Sequence, residues 1–433
     1  MDIDTSTYRG RNKYVIDVSS LGLCLVVVLS FLLHLFTTAF SGYAYAILLA
    51  CFTLVSILSK RMLLKIRNSL AKIWLLMVMV LVISFLRSRQ ANGPLLDVII
   101  FTCGFLLILF HSSNENVYER CIKVIKFMAI FFAMGILLQV LLPPVYRLTI
   151  EVFPAAYKAS LLSGESSGFT TNSGFSAGYI ISGFLAVLSQ RSFTGRIRLR
   201  DVAVSVLLLV ALLMTGKRGP TLFLLLTIVY CYLSPVKGSR KVMRYWRMFL
   251  VVFLAVILIW AFRDVISVIP IAGRFLNTFA GFLDGEDVTS GRMRLYVWAL
   301  ELFRRKPIMG IGWGDYRTTV IGNVTLATEL ETHNIYLQLL AETGLIGFTV
   351  FVTTFFLFWN TTRIAYSERY QKREVGSLGW QKLLSFSLAY QTYFLLYGLT
   401  GNPLYDPHFE LIYIFSCLIV IAYKSAEKKK LIV

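Results

Sequence analysis

Apolar runs of membrane-spanning length follow one another along nearly the whole chain, and no other feature limits the fold so sharply. A helix needs about 20 apolar residues to cross the hydrocarbon of a bilayer. Inside it every backbone N–H and C=O must be satisfied internally, so only helices or closed barrels can span. These runs are continuously apolar and lack the alternation of barrel strands. An all-α, polytopic membrane protein is therefore expected. Hydrophobic residues fill 57% of the 433 positions, against about 45–50% in soluble domains. No soluble domain of ordinary size is expected.

The pattern predicts twelve transmembrane helices, at 14–36, 40–59, 70–86, 95–111, 122–142, 175–190, 201–215, 219–234, 248–262, 334–359, 383–399 and 409–423. The seventh and eighth are short and nearly fused. The first run follows a polar start, Met1 to Lys13, with no small-residue cleavage site after it, and reads as a retained helix. The organisation expected is one integrated membrane domain. Helices one to nine occupy 1–262, a large outer loop 263–333, and helices ten to twelve with a cytoplasmic tail 334–433.

Charge tests this count independently. With both termini cytoplasmic, most of the 43 Lys and Arg residues fall in inner segments, such as Lys60, Arg61, Lys65, Arg67 and Lys72, or Lys237, Arg240, Lys241, Arg244 and Arg247. The short outer loops hold only Arg87, Arg89, Arg147, Lys158, Lys217 and Arg218. That is the positive-inside rule at every alternate loop. The net charge of +20 is thus mostly topology and contact with anionic headgroups. The basic residues form no single patch, which excludes a nucleic-acid partner. The six cysteines lie in helices or at their inner ends, so no disulfide framework is expected. No metal-ligand spacing stands out, and no cofactor is expected.

Three outer segments exceed minimal loops: Pro143 to Gly174, with the polar stretch Ser163 to Gly168; the turn Thr215 to Pro220; and the loop Arg263 to Thr332. Long loops in compact proteins are functional or disordered. The third has aromatic and apolar content and a helix-like stretch, Arg292 to Phe303, which argues against disorder.

Arg218 is a cation on the side that disfavours cations, and Gly219 and Pro220 open a helix whose N-terminus favours anions. An anionic partner accounts for it; interfacial snorkelling is the alternative. Arg292 and Tyr296 share a helical face, while Arg294 points elsewhere. Pro307 to Gly314 permits a close backbone turn but follows no strand, so it is no nucleotide fingerprint. His333 opens helix ten, with Leu337, Leu340, Gly344 and Gly347 on its face; close helix packing is the plain reading of the glycines. Glu342, roughly 13 Å along the helix from His333, is expected to be a paired structural carboxyl. His333 is either an interfacial histidine or a group that moves protons at the membrane edge. Asp406 and His408, in the outer segment Gly401 to His408, either bind glycan or form a proline turn with a capping Asp.

Taken together, Arg218 in an outer turn, Gly291-Arg292 with an aromatic four residues on, Pro307 to Gly314, and His333-Asn334 with Leu337, Glu342, Gly344 and Gly347 resemble the bacterial O-antigen ligase and polymerase superfamily. Tyr296 stands where many relatives have tryptophan. The resemblance implies a membrane glycosyltransferase (GT-C-like) fold. It implies a donor glycan on undecaprenyl diphosphate, transferred to an acceptor hydroxyl outside the bacterial cytoplasmic membrane, with inversion and without a metal. Arg218 and Arg292 would hold the diphosphate and His333 would act as base, making these the catalytic residues. Arg294, Tyr296, Trp313, Asn334, Asp406 and His408 would contact sugar or phosphate, with Arg294 a second candidate for the role of Arg292. Expected partners are the lipid-linked donor, a glycan, lipid A core or other hydroxyl acceptor, membrane lipids, a flippase and a chain-length regulator. An acceptor that is another lipid-linked repeat makes the enzyme a polymerase of O-antigen, capsule or exopolysaccharide, the favoured reading. Lipid A core or protein makes it a ligase. A secondary transporter is the alternative of another class, but the two halves show no repeat and the long segment is not central.

Overall fold

The computed structural model describes residues 18–32, 42–58, 69–89, 95–153, 158, 165–191, 198–236, 238–261, 292–318, 320–321, 324–325, 331–372 and 378–430. Fourteen α-helices stand in these residues. They are α1 (Val18–Leu32), α2 (Gly42–Leu58), α3 (Ser69–Leu86), α4 (Leu95–Leu109), α5 (Glu115–Leu141), α6 (Pro143–Arg147) and α7 (Ser173–Arg191). There follow α8 (Leu199–Met214), α9 (Arg218–Leu233), α10 (Ser239–Ala261), α11 (Arg292–Arg305), α12 (Ile335–Lys372), α13 (Leu378–Tyr397) and α14 (Pro407–Lys430). A two-residue antiparallel pair, β1 (Val320–Ile321) with β2 (Val324–Thr325), is the departure from an all-helical chain among the described residues.

A helix stands in each of the twelve apolar segments, and α11 occupies the helix-like stretch of the loop. By length and composition, four helices among the described residues can cross a membrane: Ser69–Leu86, Glu115–Leu141, Ile335–Gln371 and Pro407–Lys428. Shorter apolar helices include Tyr43–Leu58, Leu95–Leu109 and Arg218–Leu233. This is the make-up of a membrane protein.

Boundaries moved where polar residues carry a helix past its apolar run. Helix α5 starts at Glu115 because the Asn114 side chain caps it, accepting from the Asn116 amide at 3.1 Å. Helix α10 gains a basic first half in which Arg244 lies over the Tyr232 ring and donates to the Tyr370 hydroxyl near the end of α12.

The innermost helix is α14. It packs against α1, α4, α12 and α13, and 83% of its apolar window is buried, against 39% for α3 and α5. Helices α3 and α5 therefore keep a broad apolar face for lipid, whereas α14 is enclosed by its neighbours.

The continuous helix expected over 334–359 is broken. At Gly344 the backbone turns to φ 65°, ψ −168°. The Pro307–Gly314 loop enters the break: the Leu345 and Ile346 amides donate to the Pro307 and Ile308 carbonyls at 2.8 and 3.2 Å. The Ile311 and Gly312 amides donate to the Ala341 and Glu342 carbonyls, each at 3.0 Å. The loop thus replaces helical bonds that the break opens. A Cβ at Gly310 would lie 2.3 Å from the Glu342 backbone, and one at Gly344 2.5 Å from the Gly310 amide nitrogen. Gly344 therefore admits a loop rather than a helix, and the face shared with His333 ends there. Gly347 does serve helix packing, with Val80 of α3 against it.

Candidate functional site

Three consecutive carbonyls just past α13 organise the site. Gly398 O accepts from the Ile335 amide at 2.9 Å. Leu399 O accepts from Asn334 Nδ2 at 3.2 Å. Thr400 O accepts from Arg292 Nη1 at 2.9 Å. Carbonyls at a helix C-terminus lack intrahelical donors and carry the negative end of the helix dipole, so they suit an amide and a guanidinium. Gly398 and Gly401 signal a helix end in the sequence, but nothing there names the partners.

A fourth strut joins the same turn. A Cβ on Gly219 would lie 3.3 Å from Thr400 Oγ1, so the start of α9 abuts it. Gly216, at φ +67°, reverses the chain after α8. The Lys217 amide then donates to Thr215 Oγ1 at 3.3 Å, and Thr221 Oγ1 donates to the Lys217 carbonyl at 2.9 Å. Arg218 is the first residue of α9 and is half-buried.

His333 sits between these parts. It is the only non-glycine with positive φ (53°) among the described residues, a conformation that costs about 1–3 kcal/mol and is held only by surrounding structure. Its neighbours supply the hold. Thr332 Oγ1 donates to the Asn334 carbonyl at 2.8 Å and accepts from the Asn334 amide at 3.1 Å. Asn334 Oδ1 caps α12, accepting from the Tyr336 and Leu337 amides at 3.0 and 3.1 Å. Burial, then the charges of Arg292 and Lys217, push the imidazole down to about 4. At neutral pH it is an unprotonated base beside two cations.

A buried polar network backs the histidine. Gln338 Oε1 accepts from Asn402 Nδ2 at 2.9 Å, and Gln338 Nε2 donates to Glu342 Oε1 at 3.2 Å. Glu342 also accepts from the Tyr405 hydroxyl at 2.8 Å and the Tyr316 amide at 3.3 Å. It is the paired structural carboxyl expected of an ionisable group at that depth. Arg317 pairs with Glu331 just before His333.

Only some of the other expected contacts stand at this turn. Arg294 is exposed, its guanidinium 5.5 Å from the Trp298 ring centre. Tyr296 is half-buried, one turn beyond Arg292. Asn334 spends its side chain on the cap and on Leu399. Trp313 is fully buried between Phe351 and Tyr405, with Nε1 donating to Asp97 Oδ2 at 2.8 Å; its ring faces are occupied. Asp406 caps α14 through the His408 amide at 2.9 Å, and the fully buried His408 ring lies edge-on to Phe31 and Tyr179. The proline turn with a capping Asp is the reading that fits these two. Ser290 and Gly291, Ser163 and Gly164, and the loop over 263–291 lie outside the described residues. The sequence does not single out Lys217, Gln338 or Asn402, because the Lys217–Glu165 and Asn402–Gln338 pairings join residues remote in the chain.

Residues 203–352 match the family described as O-antigen ligase. This stretch, about a third of the chain, is similar to that family. It runs from α8 to beyond the break in α12 and contains Arg218, Arg292 and His333. Members of the O-antigen ligase and polymerase superfamily carry out membrane glycan transfer of the ligase or polymerase type. No curated protein matches the chain.

Proposed function

We propose that this protein is an inverting, metal-independent glycosyltransferase of the cytoplasmic membrane. It takes a glycan from undecaprenyl diphosphate and passes it to an acceptor hydroxyl on the extracytoplasmic face. The observation that carries the reading is the convergence of Arg292 and the 217–219 turn on the 398–400 carbonyls beside an unprotonated His333. In this reading the chain crosses the membrane twelve times with both termini cytoplasmic, which leaves Arg292 and His333 on the outer side.

The chemistry is a single displacement. The acceptor oxygen attacks the anomeric carbon as its bond to the diphosphate oxygen breaks, and the leaving undecaprenyl diphosphate keeps the electron pair. His333 takes the hydroxyl proton, worth about 10²–10⁴-fold. Arg292 and Arg218 face the growing diphosphate charge, where a preorganised donor is worth about 3–4 kcal/mol. Guanidinium forks suit phosphate oxygens. Arg292, not the exposed Arg294, takes the phosphate role, and Tyr296 lies along the same helix to meet the glycan.

Repeat-unit polymerisation is the proposed outcome; ligation to lipid A core is the second reading, favoured by the description of the matched family. Glycan analysis of a deletion strain separates them. Single repeats left on the lipid carrier indicate a polymerase, and full-length polymer stranded there indicates a ligase. The reaction itself is tested with purified protein and a lipid-diphosphate oligosaccharide in a chelator. Release of undecaprenyl diphosphate with glycan transfer is expected; no transfer to any hydroxyl acceptor would overturn the reading.

A further inference from the structure

One ion pair at the edge of the site has no part in the scheme above. Lys217 Nζ lies 2.9 Å from Glu165 Oε2 and 3.3 Å from Oε1, with both side chains partly buried. The two partners are held differently. Glu165 belongs to the polar outer segment between α6 and α7, which is knitted to α5. Its carbonyl accepts from Gln139 Nε2 at 3.3 Å, and Gln139 Oε1 accepts from the Gly168 amide at 2.7 Å. The Tyr146 hydroxyl donates to the Gly168 carbonyl at 2.5 Å. Gly168 has φ +59°, and a Cβ there would lie 2.8 Å from the Ile136 amide nitrogen, so the turn is pressed onto α5. Ser173 Oγ donates to Glu165 Oε2. The carboxylate is therefore fixed, while the lysine reaches it on a flexible four-carbon stem.

The Lys217 backbone, by contrast, belongs to the site. It caps α9, adjoins Arg218 and stands two residues from Gly219, which abuts Thr400 where Arg292 docks. Lys217 and Arg292 both act on His333 through their charge, so the ammonium and the guanidinium border one space.

We propose that Lys217 is a third cationic ligand for the donor diphosphate, parked on Glu165 until that diphosphate arrives. The inference rests on the reading of this site as a diphosphate clamp. A glycosyl lipid diphosphate carries two negative charges, and its cleavage leaves a monoester with a third ionisable oxygen. A lysine that exchanges a fixed carboxylate for phosphate binds such a ligand without leaving an unpaired cation in the empty site. Glu165 raises the threshold for other anions, and so acts as a specificity element.

The test is donor kinetics in the purified membrane enzyme, with inorganic diphosphate as competitor. Lys217→Met should raise the donor KM by about tenfold to a hundredfold, the worth of one charged hydrogen bond, with a smaller change in kcat; Lys217→Arg should recover most of it. Glu165→Gln should lower the diphosphate inhibition constant by about twofold to fivefold. That gain should vanish in the Lys217→Met background, because the two residues act as one unit. A folded Lys217→Met enzyme with wild-type KM, or an undiminished effect of Glu165→Gln in the double variant, would overturn the inference. Should Lys217→Met not fold, an unchanged inhibition constant in Glu165→Gln would do the same. Absence of transfer by the wild-type enzyme would count against the glycosyltransferase reading instead.

Discussion

Arg292 Nη1 donates to the carbonyl of Thr400 at 2.9 Å, one residue beyond the carbonyl that receives Asn334 and two beyond the one that receives the Ile335 amide. Helix α11, the start of α12 and the end of α13 are thereby fixed to one backbone turn. An arginine can keep that bond through one nitrogen and offer the others to phosphate; a lysine has no such fork. Arg292→Lys should lower kcat by about 10²-fold. Arg294→Ala should stay close to wild type, since that side chain stacks on Trp298 at the surface. Steady-state transfer rates of the two variants make the comparison.

Asn334 gives a milder prediction. Loss of an N-cap costs about 0.5–2 kcal/mol, and here the same amide also ties His333 to Leu399. Asn334→Ala should lower the unfolding temperature modestly and kcat more strongly, whereas Asn334→Asp keeps the cap and should recover stability. Thermal unfolding alongside turnover separates the two effects.

At Gly344 the requirement is backbone space. The backbone at φ 65°, ψ −168° is open essentially to glycine alone and costs another residue about 1–3 kcal/mol, and overpacking adds about 1–3 kcal/mol. A Cβ would stand 2.5 Å from Ile308 carbonyl atoms and the Gly310 amide nitrogen. Gly344→Ala should therefore destabilise the protein and dislodge the Pro307–Gly314 loop. Gly347→Ala, whose Cβ meets side chains instead, should cost less. Denaturation in detergent ranks them.

The pH dependence has a defined sign. His333 is held down to about 4 in the empty site, by burial and then by Arg292 and Lys217, against about 6.5 for an unperturbed histidine. The base is thus competent in free enzyme down to about pH 4, and kcat/KM should begin to fall only there. Bound diphosphate offsets both cations and raises the imidazole, so the acid limb of kcat should lie at higher pH than that of kcat/KM. Protonation favours the unfolded chain, so the stability tied to neutral His333 is lost as pH falls from about 6.5 toward 4. Profiles of both kinetic parameters from about pH 3 to about pH 8 check the order of the limbs, and coincident limbs would contradict it.

The helical segments were legible because hydrocarbon imposes long apolar runs, and each run contains a helix. Polar helix ends were hidden: the start of α5 at Glu115 depends on a cap at Asn114 and not on apolarity. The break in α12 was hidden too. The spacing of His333, Gly344 and Gly347 reads as one stripe, whereas the break depends on a loop thirty residues earlier in the chain. Arg292 and His333 are candidates through the family resemblance, whereas the carbonyl turn that joins Arg292 to the start of α12 carries no side-chain signature. The resemblance assigns Trp313 to sugar or phosphate contact, but the side chain is fully buried. Its burial depends on Asp97, Phe351 and Tyr405, which approach from three separate elements.

The most direct measurement is single-turnover transfer from a lipid-diphosphate glycan by purified His333→Ala beside the wild type, with matched unfolding temperatures to confirm the fold. The account predicts that the variant still binds donor and transfers glycan about 10²–10⁴-fold more slowly. Transfer at the wild-type rate by the folded variant would contradict the assignment of His333 as the base.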